Sequence, residues 1–379
     1  MLTSFLETKS PHGLAIRRAF FVSMDGIETT TYARLTNKRT AKVRHRSGSM
    51  DKKIMSVLAA LALFLGVAGF FEQHAQDKKT MPEVGILQFT SHPALDQIHA
   101  GIIDALQAAG YQPGKNIKID FQNAQGDQSN LKTMATKFAN GQTDLAVGIA
   151  TPAAVALANT IQDNPVLFSA STNPIQAKLV KSYQHPGSNV TGVTDQAPLA
   201  DQLKMIQAFV PHLKRLGVIY TSSDDSAVSE ARAMVKLAQQ AGVTVKEYTI
   251  TSSNDLNQTA EQMVSHQQVE AVFVPTDNTI AAAMPTLIKN TDAAGVPVFP
   301  TVDTMVAAGG VAAESINQRE IGRLTGKMMV KILKGASPKD LPVDFIEKGT
   351  LVVNRSQLER LHMQLPAGYQ QAKFIDQGE

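Results

Sequence analysis

The chain has 379 residues, 43% of them hydrophobic and 18% charged, which is ordinary for a soluble globular protein. Two domains are expected, because a single core rarely grows beyond about 250 to 300 residues. The absence of cysteine excludes disulfides, thiolate metal sites, cysteine nucleophiles and a cysteine-linked lipid anchor.

The net charge of +3 averages two unlike parts of the chain. Residues 1–49 hold nine Lys and Arg residues and three acidic residues, and the remainder holds 27 basic and 30 acidic residues. The mildly acidic body has no basic face, so no nucleic-acid partner is expected. Residues 1–49 show no helical or strand period. We interpret them as a basic, disordered extension rather than a DNA-binding arm, which would need a compact helical pattern.

An apolar segment follows at residues 54–71, with the sequence IMSVLAALALFLGVAGFF and no charge. Its 18 residues are barely enough to span a bilayer, which takes roughly 17 to 25. Lys52 and Lys53 precede it, which places its N-terminal side in the cytoplasm. Two interpretations remain, a cleaved signal peptide and an uncleaved anchor, and the weak cleavage site at 66–68 favours the anchor. Residues 50–80 are therefore predicted as a signal anchor and linker, with the protein on the extracytoplasmic face of the cell membrane.

From residue 83 onward, short apolar runs alternate with amphipathic segments, a pattern typical of a parallel α/β sheet. Strands are predicted at 84–90, 117–123, 144–149 and 166–169, and helices at 92–109, 128–140 and 151–161. The pattern then restarts with helices at 203–209, 226–241, 256–265 and 281–294, and strands at 215–220, 244–249, 269–274 and 296–300. A helix at 318–334, an extended segment at 345–353 and a helix at 354–364 follow. Two similar arrays predict two lobes of the same architecture.

Candidate ligand-binding residues follow from a general rule, because ligands of open α/β sheets sit beyond the carboxyl ends of the strands. The loops at these ends are rich in hydroxyl and amide side chains, with a few carboxylates. The candidates are Gln88, Phe89, Thr90, Thr151, Ser171, Thr172, Asn173, Thr221, Ser222, Asp277 and Asp303.

This chemistry suits a small zwitterion. Its carboxylate would be held by backbone N–H groups at the starts of helices 151–161 and 173–180. Its ammonium would be held by Asp277, or in second place by Asp303, and Phe89 would pack against its side chain. Each residue has a structural alternative, since Ser, Thr, Asn and Asp after strands often only cap helices and Phe89 could lie in the core.

Four motifs together resemble one family. They are Val84-Gly85-Ile86, the GIATPA run at 148–153, the PVLFSASTNP run at 165–174, and Asn189-Val190-Thr191-Gly192. With them, residues 82–366 resemble the ABC transporter substrate-binding family that includes tryptophan- and tyrosine-type receptors. The chain departs from the family's pattern at Asn173, where Asp is usual, and at Ser188, where a second glycine is common.

The resemblance implies a type I periplasmic-binding fold, with two Rossmann-like lobes and parallel sheets. Three crossovers near residues 195, 313 and 346 would join the lobes. Lobe 1 would comprise residues 82–195 with 314–345, lobe 2 residues 196–313 with 346–366, and residues 367–379 a tail. The implied function is that of a monomeric receptor, without cofactors, that delivers an amino acid, tryptophan or another aromatic, to the transmembrane subunits of an ABC permease.

Enzymatic functions find little support in the sequence. It contains no HExxH, GxSxG, P-loop or GxGxxG motif, and its nine histidines lack metal-ligand spacing. Ser129 and Lys132 fit the S-x-x-K pattern, but its partner motifs are missing. The alternative function is a small-molecule sensor or regulator built on the same core. Such a regulator needs an N-terminal helix-turn-helix, where this chain has its apolar segment.

Overall fold

The structure, a computed structural model, describes residues 81–265 and 268–376. The basic extension and the apolar segment predicted at 54–71 lie outside the described residues. Within the described part, no helix combines the length and the apolar character needed to cross a bilayer.

Lobe 1 contains a five-stranded parallel sheet with the strand order β2-β1-β3-β4-β5. Four of its strands are almost entirely buried apolar runs, whereas the edge strand β2 is half exposed. Three helices connect the strands. The strands are β1 (Glu83–Gln88), β2 (Lys118–Asn123), β3 (Leu145–Ile149), β4 (Val166–Ser169) and β5 (Val190–Val193), and the helices are α1 (Pro93–Ala108), α2 (Gln128–Asn140) and α3 (Thr151–Thr160).

Lobe 2 contains a four-stranded parallel sheet with the order β7-β6-β8-β9. Its strands are β6 (Arg215–Thr221), β7 (Thr244–Ile250), β8 (Ala271–Val274) and β9 (Val298–Pro300). Its helices are α4 (Leu199–Phe209), α5 (Asp225–Gln240), α6 (Leu256–Val264), α7 (Asn278–Ala282), α8 (Met284–Ala293) and α9 (Asp303–Ala307). The two described lobes confirm the predicted α/β architecture with parallel sheets.

A smaller three-stranded sheet adjoins lobe 2. Strand β10 (Ala312–Ser315) pairs antiparallel with β11 (Thr350–Asn354), which pairs parallel with β12 (Lys373–Ile375). The segment 367–379, predicted as a tail, thus contributes a strand. Helix α11 (Arg355–Arg360) follows β11, and 3-10 turns occupy Ser253–Asp255 and Pro338–Asp340.

Helix α10 (Gln318–Leu333) packs its apolar face into the core of lobe 1, although it follows lobe 2 in sequence. The contact between α10 and α1 depends on glycine. A Cβ atom added at Gly101 would lie 2.0 Å from the Arg319 carbonyl oxygen, and one added at Gly322 would lie 2.0 Å from that of Ile98. The two helix backbones are therefore in direct contact at these glycines, with no room for a side chain between them.

Three chain segments cross between the lobes. The first follows β5, the second joins β10 to α10, and the third precedes β11. The third segment extends the edge of the lobe 1 sheet, because Asp344 N–H donates to the Gly192 carbonyl at 2.9 Å and Thr194 N–H donates to the Asp344 carbonyl at 3.0 Å. This pairing holds the first and third crossovers side by side.

Two predicted helices differ from the structure. The helix predicted at 281–294 is broken at Ala283, so that α7 and α8 are separate, because the Pro285 ring would clash with a carbonyl one turn earlier in a continuous helix. The helix predicted at 173–180 is a run of turns instead. Its chain reverses where Lys178 takes a left-handed backbone conformation with φ 59°.

Candidate functional site

A narrow cavity lies between the carboxyl ends of the two sheets. Lobe 1 lines it with the start of α1, the loops after β3, β4 and β5, and the start of α10. Lobe 2 lines it with the loops after β6, β8 and β9. The lining residues are His92, Ala94, Leu95, Ala150, Thr151, Ala170, Thr172, Asp195, Ser226, Thr276, Asp277, Asn278, Ala281, Val302, Met305 and Gln318.

One wall of the cavity is the N-terminus of α3. No side chain caps this helix among the described residues. Pro152 has no N–H and Ala154 N–H donates to the Ala150 carbonyl, so the N–H groups of Thr151 and Ala153 are the ones that an anion could use. Thr151, its first residue, has a buried hydroxyl that lies 3.0 Å from the Ser171 hydroxyl and 2.8 Å from that of Ser226. The second contact joins lobe 1 to lobe 2.

The backbone is strained at two lining positions of lobe 1. Ala150 has φ 74° and ψ 155°, a region that glycine almost alone occupies, and Ala170 has φ 61°. Each residue directly follows a central strand of the sheet, and its N–H group still continues the sheet ladder by donating to the Ser169 or the Val193 carbonyl, respectively. The strain turns the chain sharply at the cavity, as is common at binding sites.

Asp195 is a buried carboxylate with few partners. The Thr172 hydroxyl donates to its Oδ1 atom at 2.9 Å, and no basic side chain pairs with it among the described residues. Burial raises the pKa of Asp195 to about 6, because it disfavours the charged form. A cation brought into the cavity would meet a carboxylate that can still accept hydrogen bonds.

Asp277, the carboxylate predicted to hold an ammonium group, lines the same cavity but already accepts three hydrogen bonds. Its Oδ2 accepts from Thr221 N–H at 2.6 Å, and its Oδ1 accepts from the Thr221 hydroxyl and from Ile280 N–H, both at 2.9 Å. It is the N-cap of α7. Burial, and the charge of Asp224 nearby, raise the pKa of Asp277 to about 6.

The other predicted residues fall into four groups. Thr151 and Thr172 line the cavity, whereas Asn173 lies beside it and donates from Nδ2 to the Ser229 hydroxyl of lobe 2 at 3.2 Å. A second, open groove between the lobes is lined by Phe89, Thr90 and Thr221. Outside both lie Gln88, Ser171, Ser222 and Asp303.

The residues outside the cavity have structural contacts. Gln88 donates from Nε2 to Asp96 at 2.7 Å, and the Ser222 hydroxyl donates to the Ile250 carbonyl at 3.2 Å. The Asp303 side chain accepts from the next N–H group, that of Thr304. Phe89 is 8% exposed and belongs to the core of lobe 1, the alternative stated for it above.

Sequence reasoning missed several cavity residues, including Asp195, His92, Asn278 and Met305. Asp195 lies two residues after β5, but the strand-end rule was not applied there because no strand was predicted at 190–193. His92 and Asn278 come from opposite lobes, and the imidazole Nε2 lies 3.1 Å from the amide Oδ1. No local sequence pattern predicts a contact between residues this far apart in the chain.

Metal ligation finds no support in the described residues, where no three His, Cys, Asp or Glu side chains are grouped to hold an ion. The cavity's chemistry is instead that of an organic ligand: hydroxyls and a free helix end, a carboxylate without a cation, and the apolar side chains of Leu95, Val302 and Met305.

Comparison with known proteins agrees with this geometry. Residues 83–370 match the family model of ABC transporter substrate binding proteins. A tyrosine-binding protein of Clostridioides difficile is 33% identical over 324 residues, which cover 83% of this chain and 93% of that protein.

Two solved structures are also similar. The ABC domain of Streptococcus pneumoniae in complex with L-Trp is 40% identical, with a TM-score of 0.75, covering 78% of this chain and all of that one. The second is the ligand-free, open structure of CD0873, a substrate-binding protein with adhesive properties from Clostridium difficile. It is 36% identical, with a TM-score of 0.62, and the match covers 78% of this chain and 99% of that one. These relatives confirm the predicted family and its two-lobed fold, and they bind solutes rather than catalyse reactions. The chain belongs to the ABC transporter substrate-binding protein family.

Proposed function

We propose that this protein binds a free aromatic amino acid, tryptophan or tyrosine, in the cavity between its lobes and delivers it to an ABC permease outside the cytoplasm. The observation that carries the proposal is the pairing, in one narrow cavity, of an uncapped helix N-terminus with the carboxylate of Asp195, which has no cation partner among the described residues. These two features are complementary to the carboxylate and the ammonium of an amino acid.

The ammonium group is assigned to Asp195 rather than to Asp277. Asp195 accepts from the Thr172 hydroxyl and from its own backbone N–H and keeps further acceptor capacity, whereas Asp277 already accepts three hydrogen bonds spread over both of its oxygens. A bound ammonium would stabilise the ionised form of Asp195 and offset its desolvation.

The ligand carboxylate is assigned to the first turn of α3. The helix dipole and the free N–H groups favour an anion there, and the Thr151 hydroxyl lies at the same end. The second helix start considered in the sequence, at 173, is a turn and offers no helix dipole.

An aromatic side chain is supported by the remaining walls. Leu95, Ala281, Val302 and Met305 provide an apolar surface, and methionine sulfur packs favourably on aromatic rings. The relatives named for L-Trp and for tyrosine point to the same class of ligand.

Closure of the lobes supports a ligand held between them. Three polar contacts bridge the lobes: Thr151 to Ser226, Asn173 to Ser229 and His92 to Asn278. The fold also superposes better on the L-Trp complex than on the open, ligand-free relative, with TM-scores of 0.75 and 0.62.

The site of action is proposed from the sequence. The apolar segment 54–71 would tether the receptor, as a monomer, to the outer face of the membrane beside the permease, as an anchor or, if cleaved, only during export. Labelling of the protein on intact cells by a membrane-impermeant reagent would test this, and labelling only after lysis would contradict it.

A thermal-shift screen of the purified full chain with the twenty amino acids, sugars and nucleosides tests the ligand class. A ligand present at 100 times its Kd adds about 2.7 kcal/mol of stability. We expect shifts with tryptophan or tyrosine and none with sugars. A shift with a sugar or nucleoside alone would overturn the proposed ligand and leave the fold unaffected.

A further inference from the structure

We infer that the side chain of the bound amino acid donates a hydrogen bond to His92 Nδ1, so that the site selects aromatic amino acids with an N–H or O–H on the ring over phenylalanine. The inference rests on the proposed function and sharpens it, because it adds a specificity-determining residue to a site otherwise defined by the ligand's ammonium and carboxylate.

The tautomer of His92 follows from its neighbours. Asn278 donates from Nδ2 to Asp224 Oδ2 at 3.2 Å, so its Oδ1 is the atom that faces the imidazole. Since that oxygen can only accept, His92 Nε2, at 3.1 Å, carries the hydrogen. In the neutral ring Nδ1 then has a bare lone pair and is an acceptor.

The ring is held in the neutral form. Burial lowers the pKa of His92, against the opposing effects of the Asn278 hydrogen bond and the Asp96 charge. At neutral pH Nδ1 therefore remains an acceptor and does not become a second donor.

That acceptor is buried and has no hydrogen-bond partner among the described residues. His92 is 6% exposed and lines the ligand cavity. Buried polar atoms in folded proteins are nearly always paired, and an unpaired one is costly. A ligand that presents a donor to Nδ1 removes this penalty, whereas a ligand without one maintains it.

The position of His92 matches the ligand's side chain rather than its charged end. His92 directly precedes α1, whose first-turn residues Ala94 and Leu95 line the cavity, and its partner Asn278 begins α7, which adds Ala281. The donor it would receive is therefore the phenol O–H of tyrosine or the indole N–H of tryptophan. Phenylalanine has the same charged groups and no such donor.

Calorimetric titrations of the full chain with two ligand pairs test the inference without any mutation. The pairs are L-tyrosine with L-phenylalanine, and L-tryptophan with 1-methyl-L-tryptophan, which lacks the indole N–H. The pair to be judged is the one that contains the tighter-binding of L-tyrosine and L-tryptophan. In that pair we expect the compound without the ring donor to bind at least tenfold more weakly than the compound with it. Equal affinities within threefold in both pairs would overturn the role of His92 and leave the proposed function standing. Binding of none of the four would overturn both.

Two variants separate hydrogen bonding to the ligand from closure of the lobes. His92→Leu removes the acceptor together with the link to Asn278, and Asn278→Ala removes the same link but keeps the imidazole. We expect His92→Leu to bring the preference for the donor-bearing ligand down to threefold or less. Asn278→Ala should weaken both members of a pair by a similar factor. A preference that survives in His92→Leu, or that is lost equally in Asn278→Ala, would contradict the inference.

Discussion

At the scale of single residues, two carboxylates of one cavity differ in what they already bind. Asp277 caps α7 and accepts three hydrogen bonds, so its acidic character serves the fold. Asp195 accepts a side-chain hydrogen bond only from Thr172 among the described residues, and its charge is paired with no cation there. A residue that destabilises the empty protein and is matched to a ligand is characteristic of a binding site.

Removal of the Asp195 charge should therefore stabilise the ligand-free protein. Its folded pKa of about 6 lies above the ordinary value of 3.8, so ionisation destabilises the fold above pH 6 and has no effect below pH 4. We expect Asp195→Asn to raise the free energy of unfolding by about 1 to 3 kcal/mol at pH 7.5 and by little at pH 4. Urea unfolding at the two pH values measures this.

A control substitution should change the free energy of unfolding in the opposite direction. Asp104 is a partly exposed carboxylate whose pKa is lowered by its hydrogen bond to Arg319, so Asp104→Asn should destabilise the protein slightly at pH 7.5. Equal stability of Asp195→Asn and wild type at pH 7.5 would contradict a destabilising charge at Asp195.

The strained backbone at Ala150 leads to a second prediction. Glycine adopts φ 74° without strain, whereas backbone strain at such a position costs other residues about 1 to 3 kcal/mol. Part of this gain is lost because glycine increases the conformational entropy of the unfolded chain. Ala150→Gly should thus stabilise the protein by about 1 kcal/mol in thermal unfolding. Ala154→Gly, four residues later inside α3, should destabilise it by about 1 kcal/mol. A loss of stability in both variants would refute the strain.

At the scale of secondary-structure elements, the contact between α1 and α10 fastens the C-terminal part of the chain to lobe 1. Because a Cβ at Gly101 or Gly322 would meet backbone atoms at 2.0 Å, the helices would have to separate. We expect Gly322→Ala to destabilise the protein by about 3 kcal/mol. Gln107→Ala on the exposed face of α1 should change stability by less than about 0.5 kcal/mol. A tolerated Gly322→Ala in urea unfolding would contradict this close packing.

The sequence predicted most elements because their apolar period is strong. Helix 128–140 and strand 166–169 have the predicted bounds, since an amphipathic face and a buried apolar run each leave little choice. The break between α7 and α8 was missed, although Pro285 marks it, because the apolar positions continue in step on both sides. The short strand β10 has too few residues for a period to be recognised.

The binding site was predicted only in part. The rule of strand ends located Thr151, Thr172 and Asp277, which line the cavity. It could not rank Asp277 against Asp195, because their difference lies in hydrogen bonds from Thr221, Ile280 and Thr172 that form only in the folded chain.

At the scale of the whole molecule, the crossovers and the cavity share residues. Asp195 lies on the first crossover, and Glu230 of α5 accepts from Ala197 N–H on that crossover at 3.4 Å and from Thr276 N–H beside the cavity at 2.7 Å. Burial raises the pKa of Glu230 to about 7. A ligand bound to Asp195 therefore contacts the hinge itself, which gives it a direct means to favour the closed state.

We predict that ligand binding closes the two lobes. Small-angle X-ray scattering of the full chain should give a smaller radius of gyration with saturating tryptophan or tyrosine than without ligand, because bound ligand favours the closed state. Asp195→Asn at the same ligand concentration should keep the larger value. An unchanged radius in wild type, with binding established independently, would contradict ligand-driven closure.

Isothermal titration calorimetry at pH 7.5 tests whether an aromatic amino acid binds between the lobes with its ammonium on Asp195. L-tryptophan and L-tyrosine are titrated into wild type, Asp195→Asn and the control Asp303→Asn. We predict binding to wild type and to Asp303→Asn with equal affinity, and a loss of about 10- to 150-fold in Asp195→Asn, as expected for a hydrogen bond to a charged group. Undiminished affinity in Asp195→Asn, or no binding of either amino acid to wild type, would contradict this mode of binding.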